Sequence, residues 1–352
     1  MSTWPNNYYR FLICLTNTGR PRVLTSSVEG SFRVPGLKDV YQARSIVNRY
    51  LKPTPLLYSR KLSKELGCQA HLKLENLQPT RAFKVRGGIN YMSHRKEEAL
   101  KRGVVTASTG NHAQSIAYGA SLFGVRATIV MPRGVPQLKI DAVKDLGAEI
   151  IAFGSYYDEA REYAEKAATE KGWLYVHGSN EPLLIEGVAT MHLEAFEELP
   201  DVDVVINPIG GGSGACGACI VHKALNSNVR VIGVQAEGAP AFYQSWKNGV
   251  ISHTDGIKTA AEGLATARGY ELPLAILRGR LDDVVLVSDE EMRNAVRSIF
   301  RATGQIAELS GAASTAAAFK IREQLQGKKV ILLVSGGNID SRKLADILGF
   351  EA

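Results

Sequence analysis

The sequence predicts an α/β protein with two open, mostly parallel sheets covered by helices. Three observations carry that prediction. From residue 104 onward, apolar runs of strand length alternate with amphipathic runs of helix length. Glycine follows the helical runs again and again, at Gly67, Gly124, Gly147 and Gly172, where a left-handed cap is needed. Four strand-to-helix turns are crowded with glycine, hydroxyl, amide or amine groups, and sheets of this kind gather ligands at such turns.

Taken in order, the chain opens with residues 1–38, which lack periodicity and are rich in Ser, Thr and Arg. They are expected to form a flexible leader, either an organellar targeting segment or an over-long start. Residues 40–50 place Val40, Ala43, Ile46, Val47 and Tyr50 on one helical face, until Lys52-Pro53-Thr54-Pro55 breaks the run. A short helix follows over 59–67, then a strand at His71-Leu72-Lys73-Leu74 and a helix over 84–101.

Strands at 104–107, 125–131, 148–153 and 173–177 then alternate with helices at 111–123, 136–146 and 157–171. A second alternation has helices at 185–198, 214–224 and 239–247, with strands at 202–207 and 229–235. An irregular stretch runs to residue 281. A strand at 284–287 leads into Ser288 and Glu291, a capping box for a helix reaching 303. Helices at 312–325 and 341–348 flank a last strand at 330–334.

Composition excludes several classes. At 352 residues the chain can bury a large core, and 45% hydrophobic with 22% charged residues is ordinary for a globular protein. No apolar run approaches the roughly 18 residues of a membrane-spanning helix. The net charge of +7 is concentrated in the leader, where Arg10, Arg20, Arg22, Arg33 and Lys38 face only Glu29. The rest intersperses both signs, so no nucleic-acid partner is expected. Cys14, Cys68, Cys216 and Cys219 have no disulfide spacing and fit a reducing compartment, so a cytoplasmic location is expected.

The four turns carry the chemistry. In the first, Phe83-Lys84 stands at a helix start with Arg86-Gly87-Gly88 behind it. A partly desolvated lysine there has a lowered pKa and can form a Schiff base, although a lone lysine is usually solvated. In the second, Ser108-Thr109-Gly110-Asn111-His112 makes an anion nest, or else caps a helix. In the third, Gly210-Gly211-Gly212-Ser213-Gly214 can close backbone N–H groups around a phosphate. Gly212, Gly214 and Gly217 also fit G-x-G-x-x-G with Glu237 beyond, a weak dinucleotide signature. In the fourth, Ser335-Gly336-Gly337-Asn338 sets a hydroxyl at the end of an apolar strand.

Together these motifs, in this order, resemble those of the fold-type II pyridoxal-phosphate enzymes (tryptophan synthase β-like), specifically the threonine/serine dehydratases. The resemblance spans about residues 40–350. It implies a large cofactor domain of residues 39–100 and 184–352 and a small mobile domain of 101–183. It implies that Lys84 is catalytic and carries pyridoxal 5'-phosphate, with Phe83 beside the ring and Asn111 on its 3'-oxygen. Gly210, Gly211, Gly212, Ser213 and Gly214 would hold the phosphate, and Ser335 the ring nitrogen. Ser108, Thr109, Gly110, Asn111 and His112 would bind the substrate carboxylate.

A hydroxyl stabilises a pyridinium less than a carboxylate does, which favours expulsion of a β-substituent over storage of a carbanion. The expected reaction is therefore dehydration and deamination of L-threonine or L-serine to a 2-keto acid and ammonia. A dehydratase of another β-hydroxy amino acid or an amino-acid (serine) racemase are the alternatives in the same class. A nicotinamide-dependent oxidoreductase is the distant one. Thr109, where related racemases carry serine, is stiffer at χ1 and disfavours racemisation. Some relatives bind a divalent cation over 235–241. Gln235 and Ala241 replace the acids expected there, so no metal is expected. Kinship implies a homodimer or homotetramer.

Overall fold

A computed structural model describes residues 32–349, so the expected leader lies mostly outside the described residues. Its last two residues belong to a helix, Leu37–Val47, which starts three residues earlier than the spacing predicts. Asp39 closes that end by accepting a hydrogen bond from the Gly36 N–H at 2.8 Å.

Among the described residues, ten strands form two sheets. They are β1 (Leu56–Tyr58), β2 (Gln69–Leu74), β3 (Val104–Ala107), β4 (Ala127–Met131) and β5 (Glu149–Ala152), then β6 (Leu174–Tyr175), β7 (Val204–Pro208), β8 (Arg230–Ala236), β9 (Asp283–Val287) and β10 (Lys329–Val334). One sheet has the order β1-β2-β10-β7-β8-β9, the other β5-β4-β3-β6. Every pairing is parallel except β1 with β2. Strands such as β4, buried at every residue, read as continuous apolar runs because helices cover both faces.

The last strand in sequence is central in space. Val330 of β10 sits beside Ala70 of β2 on one side and Val204 of β7 on the other. The buried helix Leu309–Lys320 lies against β7 and β10, and its alanines and serines allow close approach. The Ser314 hydroxyl donates to the Ile206 carbonyl at 2.8 Å. Separate apolar cores serve the two sheets, one built on Leu72, Ile206, Ile232 and Leu332, the other on Ile116, Ile129 and Met131.

The structure departs from the predicted elements in four places. The helix expected over 84–101 is two, Val85–His94 and Lys96–Arg102, broken at Arg95 (φ -102°, ψ 9°). The helix expected over 312–325 is Leu309–Lys320 followed by a tight 3₁₀ turn, Arg322–Leu325. Strand β1 was hidden in a proline-broken segment, since three residues are too few to show an alternation. The stretch expected to be irregular holds the turn Glu262–Leu264 and the helix Glu271–Leu277, both against the site.

Candidate active site

The strand order explains how distant residues meet. Strands β2, β10 and β7 are parallel neighbours, so the turns after them, which carry Lys84, Ser335 and Gly210 to Gly214, lie side by side at the carboxyl ends of the strands. The turn after β10 is stitched to the lysine turn: Phe83 N–H donates to the Ser335 carbonyl at 3.1 Å and Gly337 N–H to the Arg81 carbonyl at 2.9 Å. Ala82 and Gly336 form an antiparallel bridge. Arg81 has a φ of 55°, alone among the described non-glycine residues in the left-handed region, so the chain is strained just before the lysine.

From the other sheet, the helix after β3, Asn111–Phe123, reaches the same place. Ser115 Oγ donates to the Lys84 carbonyl at 2.6 Å and accepts from Gly88 N–H at 3.2 Å. A Cβ on Gly88 would stand 2.2 Å from the Ser115 carbonyl, so only glycine permits this approach.

Lys84 is half-buried, and its amine donates to Ser213 Oγ at 2.8 Å. The amine lies 5.3 Å from the centroid of the Phe83 ring. Burial lowers its pKa to about 8, with the Cys216 thiol opposing the shift. A useful fraction of the amine is therefore neutral and nucleophilic near neutral pH.

The glycine turn is built of bare backbone. A Cβ on Gly210 would stand 2.1 Å from the Gly263 carbonyl, and one on Gly211 2.2 Å from Ser179 Oγ. Gly212 takes a φ of 95° and forms the N-cap of the helix Ser213–Leu225. The first N–H groups of that helix have no partner inside it and carry a partial positive charge. A side-chain-free turn opening onto such a helix end, with a primary amine beside it, fits a molecule that carries both a phosphate and an aldehyde. These glycines do not serve the dinucleotide pattern alone: Gly217 is needed because a Cβ there would meet Ala189 Cα at 2.8 Å, and Glu237 is paired with Lys320 at 2.9 Å. Cys216 and Cys219 are free and buried.

The 108–112 loop is held by several hydrogen bonds. Ser108 N–H donates to the Val130 carbonyl at 3.2 Å, and Gly110 N–H to Ser108 Oγ at 3.3 Å. The Asn111 amide is fully committed on one side: Asn338 Nδ2 donates to its oxygen and its nitrogen donates to Glu308 Oε1, both at 2.8 Å. The ring of His112 turns inward, with Nε2 at 3.0 Å from Thr106 Oγ1 and Nδ1 buried without a protein partner. Burial lowers its pKa to about 3, with the charge of Lys84 adding to the effect, so it is neutral. Ser335 is buried and donates to the Ser310 carbonyl at 3.4 Å.

Three neighbours escaped the sequence reading. Ser115 sits one turn beyond Asn111 and looked like an ordinary helix serine. Ser179 approaches Gly211 from the loop after β6, which has no motif of its own. Glu308 stands at the N-cap position of the helix Leu309–Lys320, outside the helix expected over 312–325 and outside every motif.

A lysine amine beside a bare glycine turn fits an enzyme that works with a carbonyl cofactor. The family model described as pyridoxal-phosphate dependent enzyme matches residues 47–336. The L-threonine ammonia-lyase of Thermotoga maritima is 40% identical over 312 residues, covering 89% of this chain and 78% of that protein. The L-threo-3-hydroxyaspartate ammonia-lyase of Saccharomyces cerevisiae is 35% identical over 315 residues, covering 90% of this chain and 97% of that protein. The structure of maize serine racemase superposes with a TM-score of 0.85 at 30% identity, covering 89% of this chain and 97% of that one. The chain belongs to the pyridoxal-phosphate dependent enzymes, in their fold-type II threonine/serine dehydratase branch. It is a pyridoxal-phosphate dependent ammonia-lyase by family.

Proposed function

We propose that the protein eliminates water from L-threonine or L-serine, and that water then hydrolyses the released imine to ammonia and 2-ketobutyrate or pyruvate. The observation that carries this reading is the Lys84 amine, with its lowered pKa, set 2.8 Å from Ser213 at the mouth of the glycine turn. When bound, pyridoxal phosphate supplies the electron sink that allows a Cα–H bond to break and a β-substituent to leave. The chain's own residues do the rest.

Gly210, Gly211, Gly212, Ser213 and Gly214 hold the phosphate, and Phe83 and Ser335 border the ring. Ser108, Thr109 and Gly110, at the start of a helix, receive the substrate carboxylate. Lys84 would take the Cα proton on Nζ. His112, neutral and turned toward Thr106, shapes the floor of the carboxylate loop. Residues 101–183 are proposed to close over the substrate, and the pair of Lys139 with Glu262, which links that segment to the larger sheet, supports a closed form. A homodimer or homotetramer in the cytoplasm accords with this reading.

The test is direct. Purified protein should be yellow, borohydride should fix the cofactor to Lys84, and L-threonine should yield 2-ketobutyrate. Lys84→Ala should keep its melting temperature and lose turnover. Turnover that survives this substitution refutes the assignment. Chiral analysis of remaining serine separates elimination from racemisation.

A further inference from the structure

Glu308 has no part in the proposed reaction, yet its carboxylate lies within the site. It caps the helix Leu309–Lys320, its N–H donates to the Gly336 carbonyl at 3.0 Å, and a Cβ on Gly336 would stand 2.3 Å from its Oε1. It therefore lies against the turn that carries Ser335. From there it accepts a hydrogen bond from the Asn111 amide at 2.8 Å.

An amide can be turned over, exchanging its donor for its acceptor, so its neighbours decide which end faces where. The decision here runs along a chain. The Thr80 carbonyl only accepts, so it fixes Asn338 with its nitrogen inward at 2.8 Å. That nitrogen can only donate, so Asn111 must present its oxygen to it at 2.8 Å. The Asn111 nitrogen is then directed at Glu308, and an ionised carboxylate is likewise only an acceptor. Turning Asn111 over would set oxygen against oxygen at one end and nitrogen against nitrogen at the other. One N–H of Asn111 remains free for another acceptor.

We propose that Glu308 is a positioning residue: with Asn338 it locks the Asn111 amide so that its free N–H can serve the cofactor's ring oxygen. This inference rests on the proposed cofactor-binding role of Asn111. It also makes the site sensitive to pH. A protonated Glu308 can donate as well as accept, so it tolerates either orientation and loosens the lock. Burial raises its pKa to about 7, while the hydrogen bond from Asn111 pulls the other way. The charges that bear on it are Glu262, which adds to the rise, and Lys139, which opposes it. Ser310 is a further influence that lowers it.

The experiment compares wild type, Glu308→Gln, Asn111→Ala and the double variant, each freed of cofactor and reloaded with pyridoxal phosphate. Cofactor affinity by equilibrium dialysis and the visible absorbance and circular dichroism bands are followed from pH 6 to 8.5. In wild type, affinity and dichroism should rise through an inflection near pH 7. Cofactor-free Glu308→Gln should melt at low pH like wild type, whose Glu308 is then protonated; it should lose the inflection and bind the cofactor about tenfold less tightly at pH 8, the equivalent of one net hydrogen bond. Its kcat should fall with KM changed less than twofold.

In the Asn111→Ala background the same substitution should change nothing further, because Glu308 acts through that amide. A variant indistinguishable from wild type in affinity and spectrum, or an undiminished effect without Asn111, overturns the role of Glu308. A wild type that takes up no pyridoxal phosphate overturns the reading beneath it instead.

Discussion

Replacing Arg86 by methionine should destabilise the fold more than any surface change, and the structure says why. The guanidinium is fully buried, as is the Glu75 carboxylate, while Lys73 and Glu194 are 1% and 5% exposed. Arg86 grips Glu75 through Nε and Nη2, both at 2.8 Å, and Glu194 through Nη1 and Nη2 at 2.6 and 2.8 Å. Lys73 meets Glu194 at 2.7 Å and the Thr54 carbonyl at 2.6 Å. Two cations balance two anions. Burial pushes the Glu75 carboxyl up, and the charge of Arg86 overrides that, leaving it below the usual carboxylate range.

Arg86→Met leaves one unbalanced anion in an apolar setting, which costs about 3–5 kcal/mol. Unfolding entropy of about 2.1 cal/mol/K per residue gives about 0.7 kcal/mol/K for 352 residues, so the melting temperature should fall by about 4–7 °C. Calorimetry on the cofactor-free protein measures it. Adding Glu75→Gln restores neutrality, since Lys73 and Glu194 remain, and should recover at least about half of the loss. A single variant within about 1 °C of wild type, or strictly additive losses, would refute the argument. Cofactor uptake should also slow, because Arg86 anchors the helix that begins beside Lys84.

Three further outcomes follow from the site. An amine-reactive reagent should label Lys84 in the cofactor-free protein with a midpoint near pH 8 instead of 10.5, because the buried amine sheds its proton early; a midpoint above pH 10 would show a solvated lysine. Gly210→Ala drives a Cβ to 2.1 Å from a backbone carbonyl and should weaken cofactor binding at least about tenfold, whereas Gly110→Ala meets nothing within 4 Å and should bind as wild type, both by dialysis. Glu308, whose pKa rises from 4.5 to about 7 on folding, holds its proton more tightly in the folded state; its contribution is full below about pH 4.5 and lost as pH rises through 7, so Glu308→Gln should flatten the melting temperature across that window.

Much of this was legible in the sequence because each turn announces itself locally. Glycine density after an apolar strand, a lysine after an aromatic residue at a helix start, and hydroxyls ahead of Asn111 are patterns within a few residues. What could not be read was anything set by strand order. That β10 inserts between β2 and β7 decides that Ser335 touches Phe83, and no local pattern contains it. Lys73 within an apolar strand and Glu75 just after it would ordinarily argue for exposure; their burial depends on Arg86 and on Glu194, 108 residues away from it. The irregular stretch before β9 hid its role for the same reason. Pro273 closes on Gly212, with its Cβ 2.7 Å from where a Gly212 Cβ would stand, through a contact that no sequence spacing encodes.

The same contacts limit how residues 101–183 could move. The helix Asn111–Phe123 belongs to the smaller sheet, yet it is pinned to the lysine helix Val85–His94. Ser115 holds the Lys84 carbonyl, and a Cβ on Gly119 would stand 2.7 Å from the Gly88 carbonyl. Asn111 is tied to Asn338 at one end and Glu308 at the other. Swinging that helix would break the bonds that orient the site. The closure proposed for residues 101–183 would therefore hinge past it, with the β4–β5 edge carrying the swing and Lys139 of the helix Gln137–Lys144, paired with Glu262, as its latch. Hydrogen exchange with and without a substrate analogue should show protection gained over 127–153 and little change over 111–123. Equal gains over both segments would mean that the whole unit moves, and that the pinning contacts yield.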